Sequence, residues 1–380
     1  MKLQRKNRLR ASALGALVVS SALVLTACGS DDNTKTGANG TAKASAPAAG
    51  DVKCDDAKGQ LLAAGSTAQK NAMDLWVKGF QAACPGVEIN YQAIGSGGGI
   101  TKFNQGQVAF AGTDSALKEN EVADSQKICT GGQGINLPMV GGPVAIGYNL
   151  SGVDNLVLDA PTLAKIFDSK ITKWDDEAIK KLNPGVTLPA TAIQAFHRSD
   201  ESGTTQNLGK YLSEAAPAEW TYDPKAKSWP AAGGQAANGS SSVASNVKST
   251  EGAIGYFELS YAKSGNIKAV SLNTGAAAPV AATSENASKA IAAAKIKGTG
   301  NDLALSLDYK TKAEGAYPLV LVTYEVVCDK GNKAATLPTL KAFLNYAISD
   351  AGQKVLTDAH YAPIPAEITA KVRAIVPTLS

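Results

Sequence analysis

Histidine is nearly absent from this chain: only His197 and His360 among 380 residues carry an imidazole. So small a supply leaves little for a histidine-based metal centre or for general acid–base chemistry. No C-x-x-C pair occurs, which removes a common zinc-binding spacing. No G-x-x-x-x-G-K-[ST] loop occurs either, so the chain burns no nucleotide itself. A large excess of one charge is also missing, with 37 Lys and Arg against 33 Asp and Glu. Five of the basic residues (Lys2, Arg5, Lys6, Arg8, Arg10) lie in the first 27, which hold no acid, and 37 less 5 leaves 32 against 33. That balance offers nothing to nucleic acid or to an anionic membrane surface. An anion bound here must be held by local geometry.

What the N-terminus does have is the pattern of a bacterial lipoprotein signal. A basic start precedes the apolar run Ala11 to Leu25, and Leu25-Thr26-Ala27-Cys28 brings small residues up to a cysteine. The expectation is cleavage before Cys28 and lipidation of that residue, leaving the rest tethered to the outer face of a membrane; at least two acyl chains suffice for stable anchoring. An uncleaved anchor helix is the alternative, disfavoured because the apolar core is short for a span of ~20 residues. Gly29 to about Asp51 is rich in Gly, Ala, Ser, Thr, Asn and Lys without apolar periodicity and reads as a flexible tether.

With Cys28 set aside, Cys54, Cys84, Cys129 and Cys328 form an even set in an oxidising compartment. Four cysteines allow three connectivities, and free buried thiols are a further possibility. Cys54–Cys84 with Cys129–Cys328 is the preferred pairing, because each bridge then staples a single lobe.

From Gly59 onward, strand-like and helix-like runs alternate, which argues an α/β fold. Strands are read at 60–64, 87–94 and 108–111, with helices at 69–83 and from Gly97 to Gln105. The first helix puts Ala72, Met73, Trp76, Phe80 and Ala83 on one face. Leu137 to Tyr148 and Leu319 to Val327 read as long strands linking two lobes. Pro161 suits the first position of a helix running to Phe167 with Asp159 near its cap. A second short helix ends at Asn183-Pro184-Gly185. Asn286 to Lys297 reads as helical, and Thr339 to Ser349 as an amphipathic helix with Leu340, Phe343, Leu344 and Ala347 inward. The organisation expected is a leader over 1–27, lipidated cysteine and tether over 28–57, a first lobe over 58–148 with 320–380, and a second lobe over 149–319.

Three turns at strand-to-helix junctions carry the chemistry. Arg198-Ser199-Asp200-Glu201-Ser202-Gly203-Thr204-Thr205 follows a short apolar run and precedes a helix. It brings a guanidinium, hydroxyls and a helix N-terminus toward one point, where a tetrahedral oxyanion fits. Gly65-Ser66-Thr67 and Gly95-Ser96-Gly97-Gly98-Gly99 occupy equivalent junctions. Singly, each is an ordinary helix cap or loop; three together, at the junctions where α/β proteins bind ligands, point to an anion site. Asp114 ends the run from Val108 at the carboxyl edge of a strand. A carboxylate among anion-binding groups makes sense when the anion carries a proton to donate, as phosphate does and sulfate at neutral pH does not. The bland alternative for Asp114 is a helix cap.

These segments resemble the periplasmic phosphate-binding proteins of phosphate-specific ABC importers. The resemblance covers most of residues 60–365. It is carried by Tyr91 through Gly99, by Ala111-Gly112-Thr113-Asp114, by Lys170 through Pro189, by His197 through Thr204, and by Gly252-Ala253-Ile254-Gly255-Tyr256. It implies a type II periplasmic-binding-protein fold, two α/β lobes joined by two crossing strands with phosphate between them, and no cofactor. It further implies phosphate ligands at Thr67, the backbone N–H of Ala68, Ser96, Asp114, Arg198, Ser202, the N–H of Gly203, and Thr204. Asp200 would hold Arg198 in place. Relatives often carry an aromatic residue where Ala68 stands, and His197 is expected to be structural. The implied partner is a membrane permease, with closure hinging near Tyr148-Asn149-Leu150 and Tyr317 to Val322. The rival readings are a binder of another tetrahedral oxyanion, a secreted phosphatase using Ser96 or Ser202 as nucleophile, and a surface adhesin or scaffold with a vestigial cleft.

Overall fold

The computed structural model describes residues 52–380; the leader, Cys28 and the tether to residue 51 lie outside the described residues. Alternation begins where the pattern places it. β1 (Gly59–Gly65) leads into α1 (Lys70–Ala83), β2 (Val87–Ala93) into α2 (Ser96–Asn104), and β3 (Phe110–Thr113) into α3 (Glu119–Ser125). Helix α1 buries Ala72, Met73, Trp76 and Phe80 on one face, the 3.6-residue period of an amphipathic helix. Ala83, read on the same face, is half-exposed. β3 starts two residues later than the apolar run suggested, because its register is set by pairing Ala63 with Phe110 and Gly65 with Gly112. Asp114 still follows directly on its carboxyl end.

The long β4 (Gly134–Asn149) then opens a second group: β5 (Val157–Asp159), α4 (Ala160–Phe167), α5 (Glu177–Leu182), β6 (Gln194–Arg198) and α6 (Gly203–Ala215). Next come β7 (Gln235–Ala237), α7 (Gly239–Ser249), β8 (Ala253–Glu258), α8 (Leu259–Gly265), β9 (Lys268–Ala269), β10 (Ser271–Asn273) and α9 (Ser284–Ala292). Side-chain caps set several starts: Asp159 accepts from Thr162, Asp176 from Ala178, Ser202 from Thr205 and Thr283 from Asn286. Pro161 is the second rather than the first residue of α4. Helix α9 differs from its reading over 286–297. Its Thr283 cap starts it two residues early, and it ends at Ala292, since Lys295–Ile296 forms β11 against β12 (Leu305–Ser306). The chain closes with β13 (Val320–Cys328), α10 (Leu337–Ala347), α11 (Asp350–Thr357) and α12 (Ala366–Ile375). α10 starts ahead of Thr339 because Pro338 is accommodated in its first turn.

Among the described residues the main sheet runs β2-β1-β3-β13-β4-β8-β6-β7, with β9 also on β4. Strand β4 belongs to both halves: Gly134–Pro143 pair with β13, and Val144–Asn149 pair with β8. The changeover falls at Pro143–Val144, ahead of the 148/149 boundary and of the Tyr148-Asn149-Leu150 hinge read from sequence, because Tyr148 and Asn149 already pair with Ile254 and Ala253. Two large apolar clusters flank it. One gathers Leu61, Trp76, Phe80, Phe110 and Phe343; the other gathers Phe167, Trp174, Phe196, Tyr256 and Phe257. The C-terminal stretch is shared, as Ile364 and Ile368 join the second cluster while Val372 and Ile375 join the first. Val52, Cys54 and Ala57, assigned above to the tether, pack on the first cluster. The Cys54–Cys84 bridge holds them there, and Cys129–Cys328 closes the other cysteine pair.

Candidate functional site

The carboxyl ends of five strands converge between the two halves: β1, β2 and β3 from one, β6 and β7 from the other. From them come Ser66 and Thr67, Ser96, Asp114, Arg198 with Ser202–Thr204, and Ser240. All of these are buried, Arg198 with 2% and Asp114 with 3% of its surface exposed. A guanidinium at that depth requires compensation. Asp200 provides it: Arg198 Nε donates to Asp200 Oδ1 at 2.7 Å, and Nη2 to Oδ2. Burial opposes the charge of Asp200, but hydrogen bonding to Arg198 and its positive charge outweigh that and hold the carboxyl below its usual range. One edge of the guanidinium fork is thereby fixed, and Nη1 points onward to Ser240 Oγ at 3.1 Å. Tyr256 OH accepts from the backbone N–H of Arg198 at 3.1 Å and bonds Thr205 Oγ1 at 2.6 Å. This gives the Gly252–Tyr256 motif a physical task.

Asp114 is held asymmetrically. Its Oδ1 accepts from Ser66 Oγ at 2.5 Å and from Thr323 Oγ1 at 2.9 Å. Its Oδ2 has only long contacts, to Ser96 Oγ at 3.3 Å and Thr204 Oγ1 at 3.5 Å. The second oxygen is therefore the one with acceptor capacity left. Burial raises the Asp114 carboxyl above its ordinary range, against hydrogen bonds from Ser66, Thr323 and Ser96 and the charge of Arg198.

The two halves meet through these same groups. Ser96 Oγ accepts from the backbone N–H of Gly203 and of Asp114, both at 3.2 Å. Thr67 Oγ1 and Ser240 Oγ lie 2.9 Å apart, and the N–H of Gly97 donates to Glu201 O at 3.0 Å. Glycine is what permits the approach. A Cβ on Gly203 would stand 2.6 Å from Ser96 Oγ and 2.7 Å from Asp114 Cβ; one on Gly97 would stand 2.4 Å from Glu201 Cβ. The Gly95–Gly99 run thus serves the closeness of the halves at least as much as it serves an anion.

The structure brings Thr67, Ser96, Asp114, Arg198, Ser202, Gly203 and Thr204 to the same strand ends, while Cys28 lies outside the described residues. Ala68 is buried, but its N–H donates to Ser66 Oγ at 3.0 Å. Ser202 caps α6 by accepting from the N–H of Thr205 at 3.1 Å, which leaves its O–H to donate elsewhere. His197 stacks on Trp229, ring centres 4.8 Å apart, with Nδ1 3.0 Å from Arg198 O; burial lowers its pKa. Its role is packing, and among the described residues neither Ser96 nor Ser202 has an imidazole partner to activate it. Sequence reasoning missed Ser66, Ser240 and Thr323. Ser66 lay inside a turn already singled out, and Ser240 follows Gly239 at a helix start. Thr323 had a weaker signal, a hydroxyl in the apolar run of β13, and a β-bulge between Thr323 and Tyr324 marks where it departs from regular pairing.

A family model described as a PBP superfamily domain matches residues 41–351. Phosphate-binding protein PstS 3 of Mycobacterium tuberculosis is 44% identical over 368 residues, covering 96% of this chain and 97% of its own. Phosphate-binding protein PstS 2 of the same organism is 40% identical over 377 residues, covering 98% and 99%. Two solved structures share the fold at low identity. A phosphate-binding protein from Stenotrophomonas maltophilia superposes with a TM-score of 0.62 at 18% identity, over 83% of this chain and 93% of that one. The high-affinity periplasmic phosphate-binding protein PfluDING, bound with phosphate, superposes with a TM-score of 0.69 at 20% identity, over the same shares. By the span of the superfamily match and the near full-length identity to these relatives, the chain belongs to the PBP superfamily and, within it, to the PstS phosphate-binding proteins.

Proposed function

We propose that this protein captures inorganic phosphate between its two halves and delivers it to the membrane permease of an ABC importer; it is a binding protein rather than an enzyme. The observation that carries the reading is Asp114: a buried carboxylate with one oxygen still able to accept, set among hydroxyls and a guanidinium. Phosphate oxygens take donors from Arg198 Nη1, the hydroxyls of Thr67, Ser96, Ser202 and Thr204, and the N–H of Gly203, while its P–OH donates to Asp114 Oδ2. Ser240 is added to this set, since it already bridges Arg198 and Thr67. The N–H of Ala68 joins when Ser66 Oγ yields it. A fully ionised oxyanion such as sulfate would face Asp114 without a proton to offer. Release proceeds by the halves parting about Pro143–Val144 in β4 and about Tyr317 to Val322, where the chain passes back into the first half. A micromolar site corresponds to about −8 kcal/mol, within reach of several charge-assisted bonds in a dry cleft.

We also propose lipid anchoring at Cys28, supported by the signal-like leader and small residues before that cysteine. Intact-mass analysis of the N-terminal peptide from native membranes should find Cys28 as the first residue bearing acyl chains; an unmodified or internal Cys28 refutes the anchor.

Calorimetry on Arg198→Ala should show phosphate affinity lower by ~2–5 kcal/mol, as a buried anion loses its one full counter-charge; unchanged affinity removes Arg198 from the site. Asp114→Asn should weaken phosphate and narrow its advantage over sulfate in a competition assay, and an unaltered preference refutes the role given to Oδ2. Gly203→Ala should cost about tenfold or more in phosphate affinity, from the 1–3 kcal/mol typical of overpacking. Its melting temperature should change little if the added methyl acts by keeping the halves apart.

A further inference from the structure

Beside the Asp114 site lies a cavity of about 630 Å3 between the loop after β3 and helix α6. It shares Asp114 with the anion site, and two contacts lie along their boundary, Ser115 Oγ to Gln206 Oε1 at 2.6 Å and Asn207 Nδ2 to Asp114 O at 2.7 Å. Lys118 comes to it from the first half, and Lys210, Lys225 and Lys297 from the second. None of these four ammonium groups has an ion-pair or hydrogen-bond partner among the described residues, whereas neighbouring Lys227 pairs with Glu121 at 2.6 Å. Asp114, Glu119 and Glu214 also line the space, so four positive charges face three negative ones, an excess of one. Burial, with the charges of Lys297, Lys227 and Lys118, pulls the Lys210 ammonium down to about 8. Gathering like charges this way carries a standing cost that a bound anion relieves.

The geometry points to a second anion site in this cavity, one that takes a chain of two or three phosphates through Lys118, Lys210, Lys225 and Lys297. A single tetrahedral oxyanion is small for the space. A condensed phosphate carries its charge along its length, and lysine ammoniums, compact and rotatable, pair with such a chain without a fixed fork. The phosphates could be free or terminal on a nucleotide; the lysine cluster reads only the chain. This site adjoins the orthophosphate site at Asp114, but its lysines do not depend on the reading given to Arg198 and Asp114.

The test is calorimetry on the purified chain saturated with orthophosphate, titrated with tripolyphosphate and, separately, with ATP. One further binding event is expected with tripolyphosphate. Lys210→Ala/Lys297→Ala should weaken it by about tenfold or more, as expected for truncating charged partners, while orthophosphate affinity stays within about twofold. ATP binding with similar affinity identifies the phosphate chain alone as the recognised group, and binding of tripolyphosphate but not ATP identifies an inorganic ligand. No second event in the saturated protein, or one that the double variant leaves unchanged, overturns the proposal. Lys225→Ala, on an exposed loop, serves as the second variant should the double one fold poorly. If orthophosphate itself failed to bind, direct titration with tripolyphosphate would still report on the lysine cavity, so the two readings fail separately.

Discussion

A guanidinium buried to 2% exposure is the constraint around which the centre of this molecule is arranged. Removing such a charge from water costs several kcal/mol even after relaxation. Asp200, two residues along, recovers much of that through two bonds to one edge of the fork. Asp200 is itself held by the N–H of Gly239 at 3.0 Å, at the start of α7. Tyr256 fixes the backbone on the other side. Arg198 is therefore pre-oriented, and the charge sum of Arg198, Asp200 and Asp114 is one negative. On the proposed reading, a site of that sign needs dipoles beside the Arg198 guanidinium to bind an anion: hydroxyls, backbone N–H groups and the helix starts of α2, α6 and α7. This makes the hydroxyl count, not the net charge, the quantity that the sequence has to supply, and it fits a chain whose overall charge beyond its first 27 residues is nearly balanced.

Those hydroxyls come from both halves, so on the proposed reading holding the ligand and bringing the halves together are one event. Ser96 illustrates the coupling. Its oxygen accepts from an N–H of its own half, at Asp114, and from one of the opposite half, at Gly203. Such an arrangement tolerates no added carbon at the contact, which is why Gly97 and Gly203 face Glu201 and Asp114 at distances a Cβ would occupy. Tyr261 and Tyr361 extend the same logic to the first turn, donating to the carbonyls of Thr67 and Ala68 at 2.6 and 2.7 Å. The backbone of that turn is thus satisfied by side chains distant in sequence, leaving its hydroxyls for the cleft.

Much of this was legible beforehand, and what was not has physical causes. The three turns and Asp114 could be read because each sits at a strand-to-helix junction, where local pattern and function coincide. The α1 face could be read from its period. Thr323 could not, because its meaning depends on β13 lying antiparallel between β3 and β4, a pairing across some two hundred residues that no local window contains. Ser240 depends likewise on β7 joining the sheet edge beside β6. The end of α9 was misplaced because an alanine-rich run favours helix right up to a strand pairing at Lys295–Ile296 that overrides it. The point where β4 changes partner could not be read because a strand that is buried throughout gives no periodic sign of which partner it has at each point.

The asymmetry at Asp114 carries the selectivity argument one step further. Were both carboxylate oxygens saturated by protein donors, the residue would be an inert strut, and phosphate and sulfate would differ little. Were neither satisfied, burial would drive the group to its protonated form, and it would then donate to any oxyanion alike. Ser66 and Thr323 anchor one oxygen by short bonds, which favours the ionised form, while the long contacts from Ser96 and Thr204 leave the other able to accept. On the proposed reading, discrimination between protonated and unprotonated anions rests on residues that need never touch the ligand. Thr323 is the more telling of the two, because a hydroxyl within a fully buried strand is costly unless it has such a partner. On that reading, selectivity is supported from the sheet partner β13 through Thr323, and not only from the loops that line the cleft.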